Sequence, residues 1–199
     1  MDVAALERQV DLKPAPMPLL VVQALADTLD VEAGEDDLGS PAELARWLRE
    51  MGLATPDLTV SEPELERAVA LRATLRELMH ANAHGGLERS VAAALDEQVG
   101  LTPVPLAVDG EGHLTLDLSP APDVDGFVAR VLGIVFEAET RGQWRRLKLC
   151  RNPDCVWAYY DASRNRGGAW CEMGVCGNRL KNRRYRRRRA ASGSPAAAR

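Results

Sequence analysis

Residues 150–179 read CRNPDCVWAYYDASRNRGGAWCEMGVCGNR, and this stretch contains every cysteine of the 199-residue chain. Cys150 and Cys155 form one close pair, Cys171 and Cys176 form the other, and 15 residues separate the two pairs. This spacing is typical of four thiolates around tetrahedral Zn²⁺, because each pair lies on a tight turn and an intervening hairpin brings the turns together. Sulfur at all four positions leaves no open position for water, so the sequence predicts a structural zinc site.

Buried free thiols and a pair of disulfides are the alternatives to zinc, and both fit a segment this polar poorly. The N-terminus carries Asp2 and Glu7 and lacks a basic region of the kind that begins a secretory signal. No apolar run approaches 18 residues, so no membrane span is expected. These features favour the cytosol, where thiols stay reduced. Zinc binding contributes about 10–16 kcal/mol in small finger peptides, so we expect the metal to supply much of this segment's stability.

The chain becomes strongly basic after its last cysteine, since eight of the 11 residues from Arg179 to Arg189 are Lys or Arg. No Pro or Gly interrupts this run, so a helix is permitted. Such a helix repels itself and gains most from a polyanion, and guanidinium groups bind phosphate and guanine in a fork. The side chains predicted to contact nucleic acid here are Asn178, Arg179, Lys181, Arg183, Arg184, Arg186, Arg187 and Arg188. The alternative is a solvated or disordered basic run; residues 190–199 are expected to be a disordered tail.

The segment between the cysteine pairs adds two further candidate cations, Arg164 and Arg166, near a turn from which they reach phosphate. Four aromatic side chains share this segment: Trp157, Tyr159, Tyr160 and Trp170. They either stack on bases or form the core of the module, and the core interpretation is favoured because so small a module has few other apolar residues.

Opposite charges divide the chain. Residues 1–140 carry a formal charge of −17 and residues 141–199 carry +13, although the whole chain carries only −4. Charge asymmetry of this kind indicates a nucleic-acid contact at the basic end. It also suggests a hypothesis from charge alone, in which the acidic part masks the basic part until a signal separates them.

The acidic part is predicted to be a mainly helical domain with one β-hairpin, which makes the chain α+β with a small zinc module at its end. Ser40 and Ser61 each begin a capping-box motif with Glu three residues later and Pro at the first helical position. The predicted segments are a loose lead-in at 1–16, a buried helix at 19–29, an acidic loop at 34–39, helices from Ser40 to Gly52 and from Ser61 to about 83, a helix at 87–99, a hairpin at 104–118 and a last helix at 123–143.

Few other residues suggest chemistry. Glu77, His80 and His84 share a helical face and resemble half a metal site, although histidines near a helix C-terminus are also favoured by the helix dipole. Asp27 and Asp30 are expected in capping or surface roles, and the alternative is that they line a pocket. No glycine-rich phosphate loop, G-x-S-x-G or H-E-x-x-H motif occurs, so the protein is not expected to be an enzyme.

Cys176-Gly177-Asn178-Arg179, preceded by Asp161-x-Ser163-x-Asn165 and Trp170-Cys171, resembles the CGNR zinc finger family. The upstream residues resemble its usual partner, the ABATE domain of predicted stress-induced transcriptional regulators of bacteria. That second resemblance is carried by LADTLD at 25–30 and LARWL at 44–48.

The resemblance divides the chain into an ABATE-like domain at 17–143 and a CGNR finger with its basic helix at 144–189. It implies the four cysteines as zinc ligands and duplex DNA as the partner. At 167–169 the sequence reads Gly-Gly-Ala, where relatives tend to be basic, which weakens the case for a phosphate contact from this turn.

The leading hypothesis is therefore a zinc-dependent transcriptional regulator that binds DNA in the bacterial nucleoid. Its N-terminal domain would sense a small-molecule effector or form a homodimer. The alternatives are an RNA- or ribosome-associated basic zinc protein and a small-molecule-binding domain with an accessory finger.

Overall fold

The computed structural model describes residues 1–10, 12–100, 102–179 and 181–182. The predicted basic residues Arg183, Arg184, Arg186, Arg187 and Arg188, like the tail predicted at 190–199, lie outside these residues.

Helices predominate in the described part of the chain, and the strands form three two-stranded antiparallel sheets. The helices are α1 (Val3–Gln9), α2 (Leu20–Ala26), α3 (Pro41–Glu50), α4 (Glu62–His84), α5 (Arg89–Gly100) and α6 (Val124–Thr140). The strands are β1 (Leu29–Asp30), β2 (Glu35–Asp36), β3 (Leu106–Val108), β4 (Leu114–Leu116), β5 (Leu147–Leu149) and β6 (Ala158–Tyr160). The predicted α+β class is confirmed.

Helices α3 and α4 begin at the two predicted serines. Ser40 Oγ accepts a hydrogen bond from Glu43 N at 3.3 Å. At Ser61 the full capping box forms, with Ser61 N donating to Glu64 Oε2 at 2.8 Å. Helix α4 ends at Gly85, whose φ of +76° is unfavourable for residues with a Cβ. These local signals fix the longest helix, which supports most of the other elements.

The described residues form a main apolar core, and a second, smaller cluster surrounds the four cysteines. Every residue of α2 is buried, and α6 contributes the inward side chains that its period predicts, including Phe127, Val131 and Ile134. Phe127 meets Trp47 of α3 edge to face, with ring centroids 6.1 Å apart. The same core continues into β5 through Leu147 and Leu149. The packing of the helical domain is therefore continuous with β5, the strand that leads into the first cysteine pair.

The N-terminal residues differ from the loose lead-in predicted at 1–16. Asp2 caps α1 by accepting from Ala5 N at 3.0 Å, and Leu6 and Val10 are buried in the core. A helix of seven residues presents too few apolar positions for a period to be read from sequence.

The described residues of the helical part contain two hairpins. The predicted one is confirmed, since Leu106 pairs with Leu116 and Val108 with Leu114. The other replaces the predicted acidic loop: Leu29 pairs with Asp36, and Asp30 with Glu35.

The β1–β2 hairpin is fastened to α4 by Arg72. The Arg72 guanidinium binds both carboxylate oxygens of Asp36 at 2.6 and 2.7 Å. This bidentate pair lowers the pKa of Asp36. The hairpin thereby holds its tip, residues 31–34, at a fixed place on the surface.

Candidate metal centre and nucleic-acid interface

The four cysteines meet in one cluster. Their Sγ atoms all lie within 4.8 Å of one another, and each residue is at most 4 % exposed. Among the described residues this is the group of His, Cys, Asp or Glu side chains arranged to hold a metal ion.

The distances fit zinc. A tetrahedron with Zn–S bonds of about 2.3 Å has sulfur–sulfur edges of about 3.8 Å. The Sγ atom of Cys171 lies 3.6 Å from that of Cys155 and 3.7 Å from that of Cys176. Hydrogen bonds among the thiols lower the pKa of Cys150 and raise the pKa of Cys155 and Cys171, because a second thiolate beside the first would be repelled. A divalent cation removes that repulsion, so the donor set suits Zn²⁺.

The first cysteine pair lies in the turn that joins β5 to β6. Cys150 N donates to Trp157 O at 2.8 Å, and Cys155 N donates to Asn152 O at 3.0 Å. The hairpin of the module therefore carries the first pair at its tip, which corrects the expectation that a hairpin would lie between the two pairs. The reason is that β5 and β6 pair through residues flanking that turn, whereas the described chain from 161 to 170 forms no strand.

The second pair is held by a helical turn. Cys176 lies in a π-helical turn at Met173–Gly177, and its N–H donates to Glu172 O at 3.0 Å. A Cβ on Gly177 would lie 2.5 Å from Met173 Sδ and 3.2 Å from Trp170 Cδ1, so the glycine lets these side chains close over the turn. Residues 178–179 and 181–182 are helical, as the predicted basic helix requires of its first turn.

Asn152 supports the centre in a way that the sequence analysis missed. Asn152 is 1 % exposed, and its Nδ2 donates to Cys176 Sγ at 3.7 Å. Donors to metal-bound sulfur orient the ligand and offset its charge. Its place within a Cys-x4-Cys turn is the signal that could have indicated this role.

A buried ion pair shapes the loop between the two cysteine pairs. Lys148 Nζ lies 2.8 Å from Asp161 Oδ2, and both side chains are about 5 % exposed or less. Asp161 also accepts from Ser163 N at 3.1 Å and Gly168 N at 2.7 Å. Although burial opposes the charged form, these hydrogen bonds lower the pKa of Asp161.

Gly168 is required by this arrangement. A Cβ there would lie 2.8–2.9 Å from the Asp161 carboxylate. Gly168 therefore has a structural role, since the absence of a Cβ allows the loop to close on Asp161.

Polar side chains of α2 and α4 hold the backbone of the first half of the centre. Asp27 Oδ1 accepts from Ala158 N at 2.7 Å, and Gln23 Nε2 donates to Ala158 O at 3.2 Å. Arg76 donates to Val156 O at 3.1 Å. Burial raises the pKa of Asp27, which is 5 % exposed and therefore does not have the surface role expected of it, although it does occupy the expected capping position as the C-cap of α2. These contacts were absent from the sequence analysis.

The predicted nucleic-acid residues fall into three groups. Arg164, Arg166 and Lys181 are exposed. Asn178 and Arg179 are exposed too but have partners within the protein: Asn178 Nδ2 donates to Gly174 O at 2.9 Å, and Arg179 pairs with Glu32. The remaining predicted arginines, at 183, 184 and 186–188, lie outside the described residues.

The aromatic residues of the module serve its core, as favoured from sequence. Tyr159 is fully buried against the cysteines, with its hydroxyl donating to Gly168 O at 2.8 Å. Trp157 and Trp170 pack against the same cluster.

Glu77, His80 and His84 do not form a metal site. The two imidazoles stack with centroids 4.1 Å apart, and His84 Nδ1 lies 3.1 Å from His80 O. The helical spacing that brings the rings together thus leads to stacking near the C-terminus of α4.

Within the part of the chain that is described, none of the helices combines the length and apolar character needed to span a membrane.

Comparison with known families agrees with this architecture. Residues 146–189 match the CGNR zinc finger, and residues 20–138 match ABATE, described as "Putative stress-induced transcription regulator". Among curated proteins none matches the chain. The finger match spans all four clustered cysteines, so the cluster is a structural zinc centre. Because the ABATE match covers more than half of its length, the chain belongs to the ABATE family and carries a CGNR zinc finger near its C-terminal end.

Proposed function

We propose that this protein is a transcriptional regulator that binds duplex DNA through its zinc finger, with a role in binding and not in catalysis. The observation that carries the proposal is the basic run from Arg179 to Arg189, which begins three residues after the last zinc ligand. Zinc fixes where that run leaves the module, and its arginines suit phosphates and guanine edges. Arg164 and Arg166, which are exposed, add two further cations to the same finger. A nucleoid location follows from this role.

A salt titration tests the proposal. If about six phosphates are neutralised, the logarithm of the binding constant falls with the logarithm of salt concentration at a slope of about −5. Replacement of Arg186, Arg187 and Arg188 by Gln should reduce the steepness of this slope by about 3. The measurement is fluorescence anisotropy of a labelled duplex with the zinc-loaded full-length protein.

The matched control replaces three exposed arginines of the helical domain, Arg8, Arg46 and Arg89, by Gln. Because the change in net charge is the same, a specific contact with the basic run predicts that this control keeps the original slope. Absence of duplex binding at low salt would refute the proposal. Strong preference for structured RNA in competition would favour the alternative of an RNA-associated protein.

For the N-terminal domain we propose self-association through the β3–β4 hairpin. Leu106, Val108 and Leu114 on one face of this hairpin, together with Phe136 of α6, are 59–74 % exposed. An open two-stranded sheet with an apolar face can pair with a copy of itself about a two-fold axis. Sedimentation equilibrium of the full chain distinguishes a dimer from a monomer.

A small-molecule effector has a candidate place as well. A cavity of about 520 Å³ between α1 and α3 is lined by Arg8, Arg46, Asp37 and Glu50 around Trp47. Its mixed charges suit a zwitterionic ligand, and thermal shift against such compounds tests this role.

A further inference from the structure

Arg179, the last residue of the Cys-Gly-Asn-Arg motif, is bound to the helical domain. Its Nη1 lies 2.6 Å from Glu32 Oε1, and the two side chains are 53 % and 46 % exposed. The pair joins residues separated by 147 positions in sequence. It therefore connects the start of the basic run directly to the tip of the β1–β2 hairpin.

Glu32 is presented by an ordered turn. Asp30 Oδ1 accepts from Ala33 N at 2.9 Å, and Gly34 N donates to Asp30 O at 2.9 Å. Behind the turn, Arg72 binds Asp36 and ties the hairpin to α4. The carboxylate of Glu32 thus has a defined position relative to the finger.

The surroundings of Glu32 are strongly anionic. Between residues 30 and 37 the chain carries five acidic side chains and no basic one: Asp30, Glu32, Glu35, Asp36 and Asp37. Arg72 neutralises one of them. The remaining charge favours a guanidinium at this place and repels a nucleic-acid backbone.

A carboxylate and a phosphate bind a guanidinium in the same way, because both accept hydrogen bonds from its planar, forked N–H groups. The donors that Arg179 gives to Glu32 are unavailable to a phosphate at the same moment. Since the pair is about half exposed, it is weak enough for a polyanion to displace.

We propose that Glu32 is an intramolecular competitor of nucleic acid for Arg179, so that the acidic hairpin lowers the affinity of the finger until the pair opens. This inference rests on the proposed nucleic-acid binding and adds its regulation. It replaces the general idea of charge masking with one contact between two named side chains.

The test is Glu32→Gln in the zinc-loaded full-length protein, with binding to a labelled duplex followed by anisotropy. Loss of an exposed pair should tighten binding about two- to fivefold at low salt, and the gain should shrink as salt rises. The matched control is Glu35→Gln, because it makes the same charge change on the same hairpin at an exposed residue. It should give less than half of that gain on a logarithmic scale.

Combination with Arg179→Gln separates the contact from the general field. In that background Glu32→Gln should give no more than the gain of Glu35→Gln, since the competing partner has been removed and only the general field remains. Equal gains from Glu32→Gln and Glu35→Gln, or no gain when the wild type does bind DNA, would overturn the competition while leaving the proposed function intact. Absence of binding by both the wild type and Glu32→Gln would overturn the proposed function, and the competition with it.

Discussion

The two halves of the zinc centre are held in different ways. The half that carries Cys150 and Cys155 is joined to the main core by its strands, since Leu147, Leu149 and Ala158 belong to that core. Asp27 and Gln23 also bind the backbone of Ala158, and Arg76 binds Val156 O. The half that carries Cys171 and Cys176 lies outside that core, with Met173 and Val175 exposed.

The second half contacts the body through few groups. Lys13 Nζ donates to Trp170 O at 2.8 Å, and Arg179 pairs with Glu32. Arg151 N also donates to Ala169 O at 3.0 Å, which joins the two halves beside the cysteines. We therefore expect the protein to preorganise the first pair of ligands, and the second pair to depend more strongly on zinc for its position. In that case the metal, together with these contacts, sets where the basic run begins relative to the helical domain.

Removal of zinc should produce the largest effect on this comparison. Zinc binding contributes about 10–16 kcal/mol in small finger peptides, and its loss should release the second half while β5 and β6 stay packed on α4. We expect trypsin to cut rapidly after Arg164, Arg166 and Arg179 in chelator, while far-UV circular dichroism retains most of the helical signal.

Cys176→Ser in the presence of zinc serves as the control, because it removes one ligand of the second half and leaves the first pair intact. It should reproduce the same pattern of cleavage. Cooperative loss of the helical signal on chelation would contradict the view that the first half is held by the core.

Asp161→Asn should have the next largest effect, since it acts on the loop that joins the two halves. Lys148 is 5 % exposed and would lose its counter-ion, at a cost of about 3–5 kcal/mol. Urea unfolding of the zinc-loaded protein measures the change. The exposed Asp57→Asn is the matched control and should change stability by less than about 0.5 kcal/mol. A loss no larger than that of the control would mean that the ion pair does not fix the loop.

The sequence predicted the parts of this site that depend on local spacing. Four cysteines at regular separation, Ser-x-x-Glu caps and the alternation of Leu106 with Val108 each leave a pattern within a few residues. The structure confirms these because turns, caps and hairpins are determined by near neighbours.

The hydrogen bonds from the helical domain to the backbone of the finger could not be predicted in this way. Asp27 and Ala158 are 131 residues apart, and Arg76 and Val156 are 80 apart. A polar side chain that binds a distant backbone group leaves no periodic signal, because any β6 sequence offers the same N–H and C=O groups. The ion pair between Glu32 and Arg179 could not be predicted either, because the two residues are also distant in sequence. The opposite charges of residues 1–140 and 141–199 indicated only a general attraction between these two parts of the chain.

Asn152→Ala should have the smallest of these effects. It tests whether a side-chain hydrogen bond between the two halves of the centre contributes to zinc binding. Asn152 lies in the turn of the first half, yet its Nδ2 donates to Cys176 Sγ of the second half at 3.7 Å. Loss of such a donor lowers metal affinity about 10- to 100-fold, and competition with a chromophoric chelator measures it. Asn165→Ala, the same change at an exposed position of the motif, should leave zinc affinity unaltered. If both variants bind zinc like the wild type, the hydrogen bond from Asn152 does not contribute to zinc affinity or to the connection between the two halves. The position of the basic run then depends on the metal and on the contacts of Arg151, Lys13 and Arg179. A selective loss in Asn152→Ala would show instead that the preorganised turn helps to capture the last ligand.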